Sequence, residues 1–333
     1  MFEKFLSRSK SRRSAEKLEQ EDSKLESDTE PPPTKTSSSR RNSFVRKLFS
    51  SKSAPNQQFE KLPDMKLSVN QITTYRWQFE EDIAGYQLAG MDGIGLWCPK
   101  LVEFGEERAV DVLAESGLSV SSVSWVGGFT GRHGYAFDDA IQEAKETIRM
   151  AARINAESVI VMSGSRAGHT ANHARRLLIQ ALDELADYSM DYGIRLAVQP
   201  MMRLYARDWT FLATLDETLS VLDDCQHDNV GMVFDAYHLW QEEDLLKRIP
   251  AIVSRVALLQ LSDWHRPPQS QYDQALIGDG QIPLEEILQA FIEAGYQRHC
   301  EISVWSEELW KSDYEQVLAQ CRSRFDSLVA APV

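Results

Sequence analysis

A few polar side chains interrupt short apolar runs in the second half of the chain, and these residues are the ones able to do chemistry. Gln199 closes the run Leu196-Ala197-Val198, and Asp235 closes Gly231-Met232-Val233-Phe234. Gln260 lies between Leu259 and Leu261, while Glu301 and Ser303 alternate with Ile302 and Val304. A polar group buried without a partner is costly. Such residues therefore satisfy one another or meet a ligand. The amides of Gln199 and Gln260 are suited either to bond each other and Asp235 or to line a binding pocket. The carboxyl groups of Asp235 and Glu301 have the chemistry to move protons. Glu301 reads either as a general base or as a buried ion-pair partner. Strand alternation places Glu301, Ser303 and Trp305 on one face. His169 and His173, four residues apart with no carboxylate beside them, read as a solvated helix face.

The elements that must position these residues follow from the hydrophobic rhythm after residue 65. Short β-branched runs at 66–72, 93–97, 119–125, 158–162, 195–199, 230–235, 255–261 and 301–305 read as strands. Amphipathic stretches such as 137–154, 171–192, 214–224 and 284–294 read as helices between them. Eight strands alternating with helices predict an α/β fold, a parallel sheet closed into a (β/α)8 TIM barrel. An open doubly wound sheet would carry a Gly-rich turn after its first strand. Here Val69-Asn70-Gln71-Ile72 is followed by no glycine until Gly85. Barrels of this kind build their sites at the C-terminal strand ends, which is where the polar residues fall.

At these residues the chain, over about 66–330, resembles the xylose isomerase-like TIM-barrel family of sugar-phosphate isomerases and epimerases. The markers are Leu196-Ala197-Val198-Gln199-Pro200-Met201, the run from Val230 to Trp240, Leu259-Gln260-Leu261-Ser262-Asp263-Trp264, Gly278-Asp279-Gly280 leading to Leu284, and Gly295-Tyr296 leading to Trp305-Ser306. The resemblance implies a divalent metal, Mn, Mg or Zn, held by Glu, Asp, His and Glu from the fifth to eighth strands and polarising a carbonyl beside an acid/base pair. The four positions fall on Gln199, Asp235, Gln260 and Ser303. Only Asp235 keeps its type, together with its Asp-x-x-His partner His238. Glu301 stands two residues from the expected carboxylate, about 6–7 Å along a strand. Fewer charged ligands mean weaker cation binding, so no metal site is expected among these residues. The resemblance also implies substrate contact for His238 and Arg266. Gln199, Gln260 and Ser303 then line a small sugar or polyol pocket, and Trp125 offers its ring as a wall to the sugar. Trp77, Trp97, Trp264 and Trp305 also recur near strand ends, as walls or as ordinary packing.

Two functions follow. The first is a degenerate barrel, a pseudoenzyme that binds a sugar or regulates a partner. The second is an active isomerase or epimerase with an altered or metal-free site, using Glu301, Asp235 or His238 for proton transfer. A related abasic-site endonuclease activity needs a multi-zinc His/Glu/Asp cluster, which the substituted positions oppose. Charge opposes it too. Residues 1–65 carry 14 Lys/Arg and 10 Asp/Glu against a chain total of −14, which leaves about −18 on the remainder. A body that acidic repels a phosphate backbone, so nucleic acid is not an expected partner.

Residues 1–65, rich in Ser, Lys, Arg and Glu and containing Pro31-Pro32-Pro33, predict a disordered basic tail before a barrel spanning 66–333. The segments starting at Phe2 and Phe44 echo each other, and Arg40-Arg41-Asn42-Ser43 has the form of a basophilic phosphorylation site. These features suit a protein or membrane-surface partner, or simply a solubilising tail. The four cysteines, dispersed with no CxxC spacing, read as reduced thiols of a cytoplasmic protein and not as a zinc site. No run is apolar enough to span a membrane.

Overall fold

Eight parallel strands pair in chain order and close on themselves: β1 Leu67–Asn70, β2 Gly93–Trp97, β3 Ser119–Gly127, β4 Ser158–Met162, β5 Arg195–Val198, β6 Val230–Asp235, β7 Val256–Leu261 and β8 Cys300–Ile302. The ring is sealed by β1–β8 pairing, with Ser68 opposite Glu301. This computed structural model describes residues 65–131 and 136–330. The tail expected over 1–65, with its echo and its phosphorylation motif, lies outside the described residues apart from Met65.

Helices follow the strands: α1 Phe79–Leu88, α2 Cys98–Phe104, α3 Glu106–Ser116, α4 Phe137–Arg153, α5 Ala171–Asp191, α6 Leu215–Cys225, the short buried turn α7 Ala236–Leu239 directly at the end of β6, α8 Leu245–Ile252, α9 Leu284–Glu293 and α10 Tyr314–Ala330. Their starts follow ordinary capping chemistry. The Thr170 and Thr214 hydroxyls accept from the backbone N–H of His173 and Glu217, satisfying donors that a helix leaves open at its first turn. The long helix α5 buries Ala174, Leu178, Ala181, Leu182 and Leu185 against the sheet, a spacing of three and four residues.

The barrel interior is filled unequally. On the β4–β7 side Ile160, Ala197, Val233, Ala257 and Leu258 form an apolar cluster, with Trp125 packed against it. On the β1–β3 side the residues are small: Ser68, Gly93, Gly95, Ser121 and Ser122. That half has room for one long side chain, and Glu301 takes it. A Cβ on Gly95 would stand 2.3 Å from Glu301 Oε2. The expected strands are all present; the third runs two residues further, to Gly127, the fifth and seventh differ by one residue, and the first and last differ most. The first strand is shorter than 66–72 because the chain turns after Asn70, whose Oδ1 accepts from Ile72 N. The last ends at Ile302. Beyond it the Val304 amide donates to Thr73 Oγ1 and the Trp305 amide to Gln274 Oε1, so side chains replace the sheet ladder there.

Candidate functional site

Strand register decides which polar residues meet. Asp235 of β6 lies opposite Gln260 of β7, and Gln260 lies opposite Glu301 of β8. All three are buried. Period-two alternation then places Ala197, Val233 and Leu258 of the apolar cluster one layer below Gln199, Asp235 and Gln260. The polar layer stands on an apolar floor.

A directed chain of hydrogen bonds runs through it. Gln260 Nε2 donates to Glu301 Oε1 at 2.8 Å, which turns Gln260 Oε1 toward Gln199. Gln199 Nε2 donates to that oxygen at 2.9 Å and reaches Asp235 Oδ2 at 3.4 Å. Asp235 Oδ1 accepts from the Tyr237 amide at 3.0 Å. Glu301 anchors the chain. Besides Gln260, its carboxylate accepts from Asn70 Nδ2 at 3.0 Å, Ser121 Oγ at 2.6 Å and Ser122 Oγ at 2.7 Å. These partners are amides and hydroxyls, so hydrogen bonds take the place of the ion pair considered for this residue.

His238 stands beside Asp235 on the first turn of α7, with Nε2 3.6 Å from Asp235 Oδ2, too long for a hydrogen bond. Its Nδ1 has no partner among the described residues. Burial lowers the imidazole to about 3, so it is neutral at ordinary pH. Burial also raises Asp235 to about 7, against the opposing hydrogen bonds of the Tyr237 amide, the Gln199 side chain and the His238 amide. Burial thus pushes both members of the pair toward their uncharged forms.

Aromatic rings enclose this layer. Trp125, Trp209 and Trp305 stand with ring centres 5.5, 5.5 and 5.0 Å apart. Tyr205 meets His238 edge-on at 4.8 Å and Trp305 at 6.2 Å, and Tyr272 stacks on Trp305 at 6.4 Å. The loops that bring these rings in are tied down. A bridge between Gly164 and Thr210 docks the loop after β5 on the end of β4. Trp209 Nε1 donates to Gln271 Oε1 at 2.8 Å, linking that loop to the one after β7. Gln274 accepts from the Trp305 amide and donates its own amide to the Trp305 carbonyl. Trp125 Nε1, like His238 Nδ1, has no partner among the described residues.

Gln199, Asp235, His238, Gln260 and Glu301 are thus one connected group, with Trp125 and Trp305 beside it. Ser303 is buried past Glu301, its amide on the Leu261 carbonyl at 3.1 Å. Arg266 is apart. It is exposed on the loop after β7 and lines an open cleft with Asp273, Glu307 and Asp313. Three of the other tryptophans pack elsewhere: Trp77 on Tyr314, Trp97 on Tyr75, and Trp264 on Tyr237 and Trp240. Tyr205, Trp209 and Tyr272 were not anticipated, because they stand well past their strands on loops whose course no periodicity reveals. Asp263 is structural. Its carboxylate accepts the amides of Trp264, Gly278, Gly280 and Ile282 and so shapes the Gly278-Asp279-Gly280 loop.

The polar layer does not fit a dication at the four strand-end positions. Gln260 Oε1, the oxygen a cation would need, already accepts from Gln199, and the Gln199 amide nitrogen points at Asp235. Asp235, His238 and Glu301 do not bring three donors within 4.8 Å of one another; among the described residues that closeness is found at Asp183, Cys225 and His227.

A closed ring of eight parallel strands with helices between them, carrying its polar layer at the C-terminal strand ends, defines the chain as a (β/α)8 TIM barrel. The chain is a member of the xylose isomerase-like TIM barrel family, whose model matches residues 86–324. It is 20% identical over 280 residues to an inosose isomerase of Bacillus velezensis, covering 80% of this chain and 98% of that one. Among solved structures, a protein from Sinorhizobium meliloti 1021 superposes with a TM-score of 0.75 at 24% identity over 80% of this chain and 98% of the other. The IOLI protein, solved with a bound zinc atom, superposes at 0.71 and 19% identity over 80% and 98%. An L-ribulose 3-epimerase superposes at 0.67 and 16% identity over 80% and 94%.

Proposed function

We propose that this barrel binds a small sugar or polyol at its mouth and serves as a non-catalytic binding or regulatory protein, with no tightly held catalytic metal. The directed chain Glu301–Gln260–Gln199–Asp235 carries the reading, because it commits to internal hydrogen bonds the groups that would otherwise hold a cation. The aromatic walls suit the C–H faces of a sugar ring. His238 Nδ1 and Trp125 Nε1, which have no partner among the described residues, suit its hydroxyls. The similarity to an inosose isomerase supports a ligand of this class.

Calorimetric titration of the purified chain with inososes, ketoses and their polyols tests this. Binding is expected without added metal, and Gln199→Ala should weaken it about tenfold, the value of one hydrogen bond to a buried group. Binding that appears only after a dication is supplied, and that vanishes in Asp235→Asn, would overturn the proposal. Restoring Gln199→Glu, Gln260→His and Ser303→Glu together should create a cation site at the strand ends, since these are the substituted positions.

A second reading keeps catalysis. Asp235, raised to about 7 beside a neutral His238, is poised for metal-free proton transfer. Isomerisation or epimerisation by chelator-treated protein, lost in Asp235→Asn, would establish it. A cytoplasmic setting accords with the four free cysteines, all buried. The basic tail is proposed to contact a protein or membrane-surface partner, and nucleic acid is not proposed as a ligand.

A further inference from the structure

At the far pole of the barrel, where β6 begins, the helix–turn junction holds a second group of donors. Asp183 and Asp187 stand one turn apart on α5. The turn that follows α6 runs Cys225, Gln226, His227, with Gln226 in the left-handed conformation at φ 53°. That conformation reverses the chain, and both flanking side chains come back to α5. His227 Nε2 lies 3.5 Å from Asp183 Oδ1, and His227 Nδ1 lies 3.9 Å from Asp187 Oδ1. One donor atom each from Asp183, Cys225 and His227 falls within 4.8 Å of the others. The turn is held in place independently, because Asn229 Nδ2 donates to the Ala186 carbonyl at 2.8 Å and to Ser189 Oγ at 2.9 Å on α5.

The donor set selects a class of ion. Thiolate, imidazole and carboxylate together suit zinc, whereas magnesium and calcium prefer oxygen throughout. Zinc bonds of about 2.0–2.3 Å place neighbouring ligand atoms about 3.3–3.8 Å apart; the His227–Asp183 pair already has that spacing at 3.5 Å, and the Cys225 sulfur needs to close by at most about 1 Å. The Asp183 and His227 side chains are 49% and 24% exposed, which lets an ion enter and leaves a fourth position for water. Asp187 stands where a supporting carboxylate belongs. A metal-bound imidazole commonly donates its other N–H to such a group, fixing the tautomer and strengthening the ligand.

We propose that Asp183, Cys225 and His227 form a zinc-class site, with Asp187 as the acceptor for His227 Nδ1–H, which clips α5 to the turn between α6 and β6. On binding, the Cys225 S–H proton leaves to solvent as the sulfur–metal bond forms, and no oxidant or reductant takes part. The site is separate from the mouth and independent of the function proposed for it. Cysteine spacing could not reveal it, because Asp183 lies on α5, about 40 residues before Cys225 and His227 at the end of α6 and in the turn after it.

The test uses the full chain, stripped with a chelator and titrated with Co²⁺, then back-titrated with Zn²⁺. Expected are one equivalent of Co²⁺, a thiolate-to-cobalt charge-transfer band, and displacement by Zn²⁺. Cys225→Ser and His227→Asn should each abolish the band, and Asp187→Asn should weaken binding about 10–100-fold. Melting followed by circular dichroism checks that the metal-free variants fold; His227→Asn, at a partly exposed turn, decides the matter if Cys225→Ser does not. Absence of the band, or its survival in Cys225→Ser, overturns the site. A cation without the band that is held equally by Cys225→Ser and released by Asp235→Asn overturns both this site and the metal-free mouth. A band lost in Cys225→Ser with no second equivalent leaves both standing.

Discussion

At the scale of single residues, burial rather than identity sets what the mouth can do. An exposed aspartate titrates near 4, but Asp235 sits at about 7 because desolvation outweighs its hydrogen bonds. A raised carboxyl pKa means that the folded chain holds this proton across a range in which the unfolded chain has released it. The contribution of Asp235 is thus fully present below about pH 4 and is lost as pH rises through about 7. His238 acts in the opposite sense: lowered to about 3, it contributes stability above its unfolded value of about 6.5 that is lost as pH falls. Chemical denaturation at pH 5 and pH 8 should therefore show wild type losing stability relative to Asp235→Asn as pH rises. Equal changes in the two proteins would remove Asp235 as the cause. Glu301 makes a separate prediction. Truncation to alanine strands four donors and opens a cavity, so Glu301→Ala should cost at least about 3 kcal/mol, measured by urea unfolding. Glu301→Gln should cost less, since the Ser121 and Ser122 hydroxyls can turn to a new partner.

At the scale of elements, the first βα units are joined by a buried ion pair that positions nothing in the mouth directly. Lys100 Nζ, near the start of α2, lies 2.6 Å from Asp82 Oδ2 on α1 and donates to the Thr74 carbonyl at 2.9 Å. Gln71 and Thr74 supply two further donors to Asp82, and Gln71 Oε1 accepts the Trp97 amide at the end of β2. Burial raises Asp82 to about 7 and lowers Lys100, each partly offset by the other's charge. Breaking one side leaves an uncompensated buried charge, so Lys100→Met should destabilise by about 3–5 kcal/mol in thermal or denaturant unfolding. Replacing both members with apolar residues should cost much less. A double-mutant cycle separates the two outcomes.

At the scale of the whole molecule, the stretch with acidic excess and the barrel coincide. The βα rhythm after residue 65 and the family match at 86–324 both lie in the part that carries about −18. Removal of residues 1–64 is expected to leave the melting temperature within a few degrees of the full chain and to raise the net negative charge, read by ion-exchange retention. A large loss of stability would show that the barrel boundary drawn from the sequence is misplaced.

Sequence alone determined the eight-unit barrel, because alternation of short β-branched runs with amphipathic helices follows from local geometry that each segment carries within itself. It also marked Gln199, Asp235, Gln260 and Glu301, because a polar residue inside an apolar run needs a partner wherever the chain folds. Which partner was a tertiary matter. The 235–260–301 register, the space left by Gly95 and the serines of β3, and the aromatic loops that bring Tyr205, Trp209 and Tyr272 over the mouth arise from contacts between distant segments. So does the convergence of Asp183 with Cys225 and His227. Periodicity reports which face a side chain takes; only closure of the barrel sets what stands opposite it.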